Sequence, residues 1–99
     1  MEEPANVKNS VFVGGKPFMS YVTAVVVQFN TNKEQEVIIK SRGKFIGKAV
    51  DVAEVSKRKF LADQNIEVKD VRIGSEEFEN KEGRNVFVST MEIVLEKKD

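Results

Sequence analysis

The chain contains no cysteine and no histidine. The missing cysteine excludes disulfides, thiolate metal sites and cysteine nucleophiles. The missing histidine removes the commonest general base and the commonest metal ligand. Catalysis would therefore fall to carboxylates, and no compact Asp/Glu motif is present to support metal-ion or acid–base chemistry. We expect no enzyme, no cofactor and no metal.

Long apolar runs are also absent. No segment approaches the ~20 apolar residues that a membrane-spanning helix needs, and the opening residues Met1-Glu2-Glu3-Pro4 are acidic rather than signal-like. The sequence therefore predicts a cytoplasmic protein without a membrane partner. No internal repeat or low-complexity segment occurs.

Net charge is missing too, because 16 basic residues balance 16 acidic ones. A neutral total argues against a strong, indiscriminate nucleic-acid binder, whose pI normally exceeds about 9. The charges are nevertheless unevenly placed. Residues 40–59 hold seven basic and two acidic residues, whereas residues 63–82 hold three basic and seven acidic ones. A basic middle is thus followed by an acidic segment.

What is present suits one small domain. The chain has 99 residues, of which 40% are hydrophobic, so it can build a packed core. Residues 1–7 are polar and contain Pro4, which predicts a flexible tail before a single domain at 8–99. A chain of this size buries roughly two-thirds of its unfolded surface, so burial in an oligomer would stabilise it.

Hydrophobic periodicity predicts the order βαβαββ. The expected strands cover 10–13, 36–40, 65–79 and 86–96, and the expected helices cover 18–29 and 44–61. Pro17 suits the start of the first helix, and Gly43 is the expected site of unusual backbone angles. In the second helix we expect Ile46, Ala49, Val50, Ala53 and Phe60 to form the buried stripe, with Val52 and Val55 on a second covered face.

This order predicts an α+β fold, a two-layer βαβαββ sandwich. A four-stranded mixed sheet would carry two helices on one face and leave its other face open to water. A bulge near Lys69 and Asp70 would bring Ile66, Val68, Val71 and Ile73 onto one face of the third strand. The loop 80–84 would close an extended β-hairpin arm, because the side chains near its tip have little to bury.

Two stretches carry a family resemblance. Residues 13–22, read as Val-Gly-Gly-Lys-Pro-Phe-Met-Ser-Tyr-Val, are similar to the opening motif of the Alba family. Residues 37–51, which include Ile39-Lys40-Ser41-Arg42-Gly43 and Lys48-Ala49-Val50-Asp51, resemble its second motif with more than ten positions in register. Shorter matches at 58–61, 71–75, 83–84 and 89–93 extend the resemblance over about residues 7–98.

The resemblance implies an archaeal chromatin protein associated with the chromosome. Such a protein is a non-enzymatic homodimer that binds double-stranded DNA and also RNA. The family's DNA surface combines the loop after the first strand, the turn before the second helix, and two hairpin arms that reach toward the minor groove. Its dimers also pack against one another through the phenylalanine that matches Phe60.

The residues expected to bind nucleic acid are Lys16, Lys40, Arg42, Lys44, Lys48, Lys81 and Arg84. Lys16 precedes a helix whose first N–H groups favour phosphate, and a guanidinium at Arg42 can fork onto phosphate. Lys44 and Lys48 share a helix face. Solvated lysines, an Arg42 ion pair with a residue such as Glu36, and pairs of Lys81 and Arg84 with Glu79 and Glu82 stay open as alternatives. Tyr21 and Phe12 are assigned to the core, with base-stacking platforms as the alternative.

Two departures from the family pattern bear on function. Gly15 stands where the family usually has an additional lysine, its acetylation site, so that modification would have to move to Lys16. The family is also typically basic, whereas this chain is neutral and its arm carries Glu76, Glu77, Glu79 and Glu82. We therefore expect weaker or more selective binding. The alternatives are binding to structured RNA or within a ribonucleoprotein, and a protein-interaction module whose arm binds a basic partner.

Overall fold

Four strands and two α-helices alternate in a computed structural model that describes residues 9–98. They are β1 (Ser10–Phe12), α1 (Phe18–Asn30), β2 (Glu36–Arg42), α2 (Ile46–Val55), β3 (Ile66–Glu79) and β4 (Asn85–Lys97). A 3-10 turn at Gly43–Phe45 leads into α2, and a π-helical turn at Ser56–Phe60 follows it. The predicted order and the α+β class are confirmed. The tail predicted at 1–7 lies outside the described residues.

The strands form one mixed sheet in the order β1-β2-β4-β3. β1 pairs in parallel with β2, which requires the crossover that α1 supplies. β4 lies between β2 and β3 and pairs antiparallel with both. The long strand β3 therefore stands at an edge of the sheet. Within the described residues, no helix is long and apolar enough to cross a membrane.

The core lies between the helices and one face of the sheet. Alternate residues of β2 and β4, namely Val37, Ile39, Ile93 and Leu95, are buried on that face. α1 covers them with side chains at helical spacing, because Tyr21, Val22, Val25, Gln28 and Phe29 are its buried residues. The opposite parity in each strand carries most of the charged residues, so the predicted open face is present.

A bulge between Val68 and Asp70 shifts the pairing of β3 with β4. Val68 lies opposite Leu95, while Val71 lies opposite Ile93, so both project from the helix-covered face of the sheet. The predicted bulge and its consequence are confirmed. The position of β3 at the edge leaves these side chains uncovered, because Val68 is 41% exposed and Val71 is 49% exposed.

The buried face of α2 differs from the predicted stripe. Val50 was expected inside but is 41% exposed, whereas Val52, expected on a second face, is fully buried with Ala49 and Ala53. Steps of three and four residues allow two neighbouring stripes on one helix, and packing selects between them. The π-helical turn then adds a residue, since Leu61 N–H donates to Ser56 O five positions back. Leu61 is buried as a result, and Phe60 is turned outward.

The hairpin formed by β3 and β4 extends from the body as the predicted arm. The molecule measures 49 × 23 × 21 Å, and the part of β3 beyond Ile66 is exposed. Gly83 has a φ of 78° at the tip, where Asn80 Oδ1 accepts hydrogen bonds from the N–H groups of Glu82 and Arg84. The arm thus has a closed, hydrogen-bonded tip.

Candidate nucleic-acid interface

A cavity of about 1050 Å³ opens on the exposed sheet face where the arm leaves the body. It is bounded by the loop after β1, the end of β2, the 3-10 turn and the base of the arm. Its lining includes five cationic and two acidic side chains, which are Lys16, Lys40, Arg42, Lys44, Arg72, Glu76 and Glu92. Five positive and two negative charges leave a local excess of three in a molecule that is neutral overall.

One row of side chains crosses all four strands on this face. Phe12 pairs with Lys40, Lys40 with Glu92, and Glu92 with Arg72. Glu92 forms ion pairs with both neighbours, at 3.7 Å from Lys40 Nζ and 3.3 Å from Arg72 Nη1, and only the second distance is that of a hydrogen bond. Hydrogen bonds from its guanidinium to Asp70 first, and to Glu92, raise the pKa of Arg72 above its usual value. Lys40, one of the predicted binding residues, therefore faces outward, but its charge is partly neutralised by Glu92.

Arg42 is drawn to the arm. Its Nη1 donates to Glu76 Oε1 at 3.1 Å. The alternative of an ion pair at Arg42 is therefore confirmed, with Glu76 as the partner, while Glu36 pairs with Lys69 on the same sheet face. β2 also runs two residues further than predicted and includes Arg42. The guanidinium therefore leaves the end of a strand rather than a flexible turn.

Lys48 does not project from the surface as the helix-face argument expected. Its Nζ donates to Gly14 O at 2.7 Å and to Lys16 O at 2.6 Å, and it lies 5.0 Å from the centre of the Tyr21 ring. Tyr21 is buried as predicted, and its hydroxyl accepts from the N–H of Lys16 at 2.9 Å. Lys48 and Tyr21 together hold the loop after β1 in place.

Lys16 and Lys44 are exposed lysines of the cavity lining, and we call these two residues its rim. The loop fastened by Lys48 positions Lys16, and the turn after Gly43 positions Lys44, whose Nζ lies 5.4 Å from the Phe45 ring centre. Gly43 has the unusual backbone angle that was predicted, with a φ of 58°. A Cβ there would also come within 3.1 Å of Val88 Cγ2. The sharp turn and the close approach to β4 both require glycine.

Lys81 and Arg84 lie at the tip of the arm, outside the lining of the cavity. The alternative that paired them with Glu79 and Glu82 is not observed, since no ion pair within residues 9–98 involves either cation. The predicted set thus falls into two groups. Lys16, Lys40, Arg42 and Lys44 line one cavity, while the two arm cations stand apart from it.

Two side chains of the cavity, Arg72 and Phe78, were missed as functional candidates, and a third, Phe12, was assigned to the wrong side of the sheet. Phe12 was assigned to the core, but Val11 and Val13 occupy the buried parity and Phe12 is half-buried on the open face. The strict alternation of side chains along β1 indicates that Phe12 faces away from the core. The faces of Arg72 and Phe78 depend on the register after the bulge, which places them with Gly74 and Glu76 on the open face.

Phe60 does not line this cavity; it lies in the turn after α2 and is 48% exposed. Its basic neighbours are partly neutralised. Glu54 accepts from Arg58 at 2.9 Å and from Lys57 at 3.5 Å. The hydrogen bond from Arg58, followed by the attraction of Lys57, lowers the pKa of Glu54 below its usual value. The result is an exposed aromatic side chain on a turn with reduced charge.

Comparisons with known proteins agree with this geometry. The family model described as Alba matches residues 9–75. The DNA/RNA-binding protein Alba 1 of Archaeoglobus fulgidus is 50% identical over 91 residues, covering 92% of this chain and 98% of the relative. The DNA/RNA-binding protein Alba of Methanococcus maripaludis is 43% identical over 87 residues, covering 88% and 96% respectively.

Solved structures share the fold. Alba from Thermoplasma volcanium superposes with a TM-score of 0.81 at 46% identity, covering 90% of this chain and all of that chain. An Alba protein of Trypanosoma brucei superposes with a TM-score of 0.68 at 27% identity, covering 96% of this chain and 74% of that chain. Sequence and structure lead to the same assignment, and this chain belongs to the Alba family.

Proposed function

We propose that this protein is a homodimeric, non-enzymatic nucleic-acid-binding protein that binds double-stranded DNA in an architectural role on the chromosome. The observation that carries the proposal is the gathering of Lys16, Lys40, Arg42 and Lys44 around one cavity at the base of the arm. The names of its relatives, DNA/RNA-binding proteins, support the same activity. Cytoplasmic location on the chromosome follows from that role.

The cations can contact a phosphate backbone at two places, the rim of the cavity and the tip of the arm. Lys16 and Lys44 stand on the exposed rim, where an ammonium can neutralise a phosphate and release its counterions. Lys81 and Arg84 stand at the far end of the arm, where they can follow a groove while the rim holds the backbone. Lys48 is a positioning residue in this scheme, because it holds the loop that carries Lys16.

Homodimer formation would double this surface. β3 is an edge strand with apolar side chains left uncovered on its helix-side face, and Ile73 is 80% exposed there. Edge strands and exposed apolar side chains are features that proteins cover by association. A second copy of the chain packed on this face would bury Val68, Val71 and Ile73 and set two arms and two cation clusters in a symmetric pair.

Phe60 is the proposed contact between neighbouring dimers on one nucleic acid. Its half-exposed ring on a turn of reduced charge suits an apolar contact of this kind. Phe60→Ala should abolish multi-dimer complexes on long duplexes, viewed by native electrophoresis, while single dimers still bind. Undiminished multi-dimer complexes would contradict this role.

The experiment compares two double variants of equal charge on duplex DNA and duplex RNA. Lys16→Ala with Lys44→Ala removes the rim, whereas Lys33→Ala with Lys59→Ala removes two exposed lysines that follow the last residues of α1 and α2. We expect the rim variant to lose affinity and its log–log salt slope to fall by about 0.9 for each phosphate contact removed. The control should bind as the wild type does.

The outcomes separate the alternatives. Equal loss in both double variants would mean that net charge, not this surface, governs binding, and the proposal would be wrong. Absence of binding by the wild type would favour a protein-interaction module. Stronger binding to duplex RNA than to duplex DNA would favour the RNA-binding alternative, because an A-form helix offers phosphates and 2′-hydroxyls to the same cations.

A further inference from the structure

We propose that the outer part of the arm, residues 75–79 of β3, is a docking edge for an extended, arginine-containing segment of a partner protein, which joins the sheet as a fifth strand. This inference goes beyond the proposed function and does not depend on it. It concerns the free edge of β3 and the face of the arm opposite to the cavity, so nucleic acid and the protein segment have separate places on the molecule.

The outer edge of β3 has no strand beside it. Within residues 9–98, β3 pairs with β4 alone, and every residue of β3 after Ile66 is exposed. The second copy proposed above packs on the part of the strand near the body, whereas residues 75–79 lie further out on the arm. An edge of this kind presents backbone N–H and C=O groups that can pair with another chain. Extended peptides bind such edges through main-chain hydrogen bonds.

Two carboxylates determine the charge of the segment that fits this edge. Glu77 and Glu79 form no ion pair within the described part of the chain, and Lys81 and Arg84 belong to the tip beyond them. The other carboxylates of the sheet are all paired with cations; they are Glu36, Glu67, Asp70, Glu76, Glu92 and Glu96. Unpaired negative charges attract a cationic segment and repel the phosphates of nucleic acid.

An aromatic side chain stands beside these carboxylates. Phe87 of β4 lies directly opposite Glu77 in the register and is 70% exposed. Opposite side chains of an antiparallel pair have Cβ atoms roughly 5 Å apart, so a cation bound to Glu77 also reaches the ring of Phe87, whose face attracts it. Arginine suits both groups better than lysine, because its planar guanidinium forks onto a carboxylate and stacks on an aromatic ring.

Charged side chains on an edge strand can also serve only to prevent aggregation. That role needs charge alone, and an exposed phenylalanine works against it, because exposed apolar surface promotes association. Carboxylates placed directly beside an exposed ring therefore fit a surface that accepts one kind of partner and excludes others. The two roles make different predictions for a cationic peptide.

The test uses a capped peptide of alternating arginine and valine, labelled for fluorescence anisotropy. Two comparison peptides isolate the chemistry of the contact. One has lysine in place of arginine, and the other is the arginine peptide methylated on its backbone nitrogens. We expect the arginine peptide to bind more tightly than the lysine peptide. The methylated peptide should lose most of its affinity, because it has no N–H groups to donate to the strand edge.

Variants of the protein locate the contact. Glu77→Gln with Glu79→Gln removes the two carboxylates, whereas Asp51→Asn with Asp63→Asn removes two exposed carboxylates outside the sheet. We expect the arm variant to bind the arginine peptide roughly 2- to 30-fold more weakly, the range for losing two exposed ion pairs, and the control to bind it normally. Phe87→Leu should weaken binding roughly two- to fivefold and reduce the preference for arginine.

Three results would overturn the proposal: undiminished binding of the methylated peptide, equal losses in the two double variants, and no binding of the arginine peptide by the wild type. The last result would leave the carboxylates as guards against aggregation. Duplex DNA titrated in parallel keeps this inference apart from the proposed function, and the arm variants should bind it no more weakly than the wild type does. Failure on the peptide with normal DNA binding would refute the docking edge alone.

Discussion

Glu76, on the arm, holds Arg42, at the end of β2, through a hydrogen bond of 3.1 Å from Nη1 to Oε1. The side chains are 34% and 53% exposed, so nucleic acid can reach both. A phosphate that binds Arg42 must compete with this carboxylate. We predict that Glu76→Gln tightens binding to duplex DNA, because it removes the competitor without altering the shape of the side chain.

The matched control is Glu77→Gln, one residue further along the same strand. Glu76 lies opposite Val88 and Glu77 opposite Phe87, so the two carboxylates project from opposite faces of the arm. Both variants remove one negative charge, but only one frees Arg42. We expect Glu76→Gln to gain roughly two- to fivefold more affinity than Glu77→Gln, in line with the strength of an exposed ion pair. Equal gains, measured by anisotropy at one salt concentration, would show that only net charge matters.

Lys48 should be important for stability as well as binding. Lys48→Met keeps the apolar stem and removes the donor to Gly14 O and Lys16 O. We expect a loss of about 1–3 kcal/mol in the free energy of unfolding, the usual effect of removing a charged hydrogen bond, and weaker DNA binding because the loop carrying Lys16 is released. Urea unfolding and DNA titration measure the two effects.

Lys44→Met separates binding from stability. Lys44 is exposed on the cavity rim, so its loss should weaken binding while the free energy of unfolding stays within about 0.5 kcal/mol of the wild type. For the preceding variant, an unchanged unfolding midpoint in Lys48→Met would contradict the role of Lys48 in positioning the loop after β1.

Two glycines should respond in opposite directions to the same substitution. Gly43 has a φ of 58°, and a Cβ there would meet Val88, so Gly43→Ala should destabilise the protein by about 1–2 kcal/mol. Gly47 lies in α2 with open space around it, so Gly47→Ala should stabilise the protein by about 1 kcal/mol. Thermal and urea unfolding of both variants measure the difference. Destabilisation by Gly47→Ala would show that this helix position is covered.

The edge strand offers a test of the homodimer. Val71→Glu places a charge on the uncovered face of β3, and we expect it to shift the protein to a monomer in sedimentation analysis. Val27→Glu makes the same change on α1 at a side chain of similar exposure, 40% against 49%, and should leave the dimer intact. A dimer in Val71→Glu, or a monomer in both, would exclude this face as the interface.

Local patterns predicted most of the fold. Alternation and helical spacing indicated every strand and both helices, and Gly43 and the bulge before Asp70 were also predicted from the sequence. These features depend on near neighbours along the chain. The stripe on α2 was not predicted correctly, because neighbouring stripes at Val50 and Val52 are equally compatible with helical spacing and only packing against the sheet selects one.

The candidate site was predicted in part. The family motifs indicated the cations of the rim, but the partners of Arg42 and Lys48 come from segments 34 residues away in sequence. Charge along the chain does not determine which acid meets which base across that distance. Phe12 was assigned to the core, but Val11 and Val13 occupy the buried parity of β1, so Phe12 projects from the open face.

The amino-acid sequence by itself determined the order of the elements, the family and a set of candidate cations, of which Lys16, Lys40, Arg42 and Lys44 line the cavity. Tertiary structure alone decided which of those cations remain accessible. It turns Lys48 inward onto backbone carbonyls, pairs Arg42 with the arm, and leaves Lys16 and Lys44 on the rim. The physical reason is that secondary structure follows from local periodicity, whereas the pairing of charges depends on which strands and loops the folded sheet brings together.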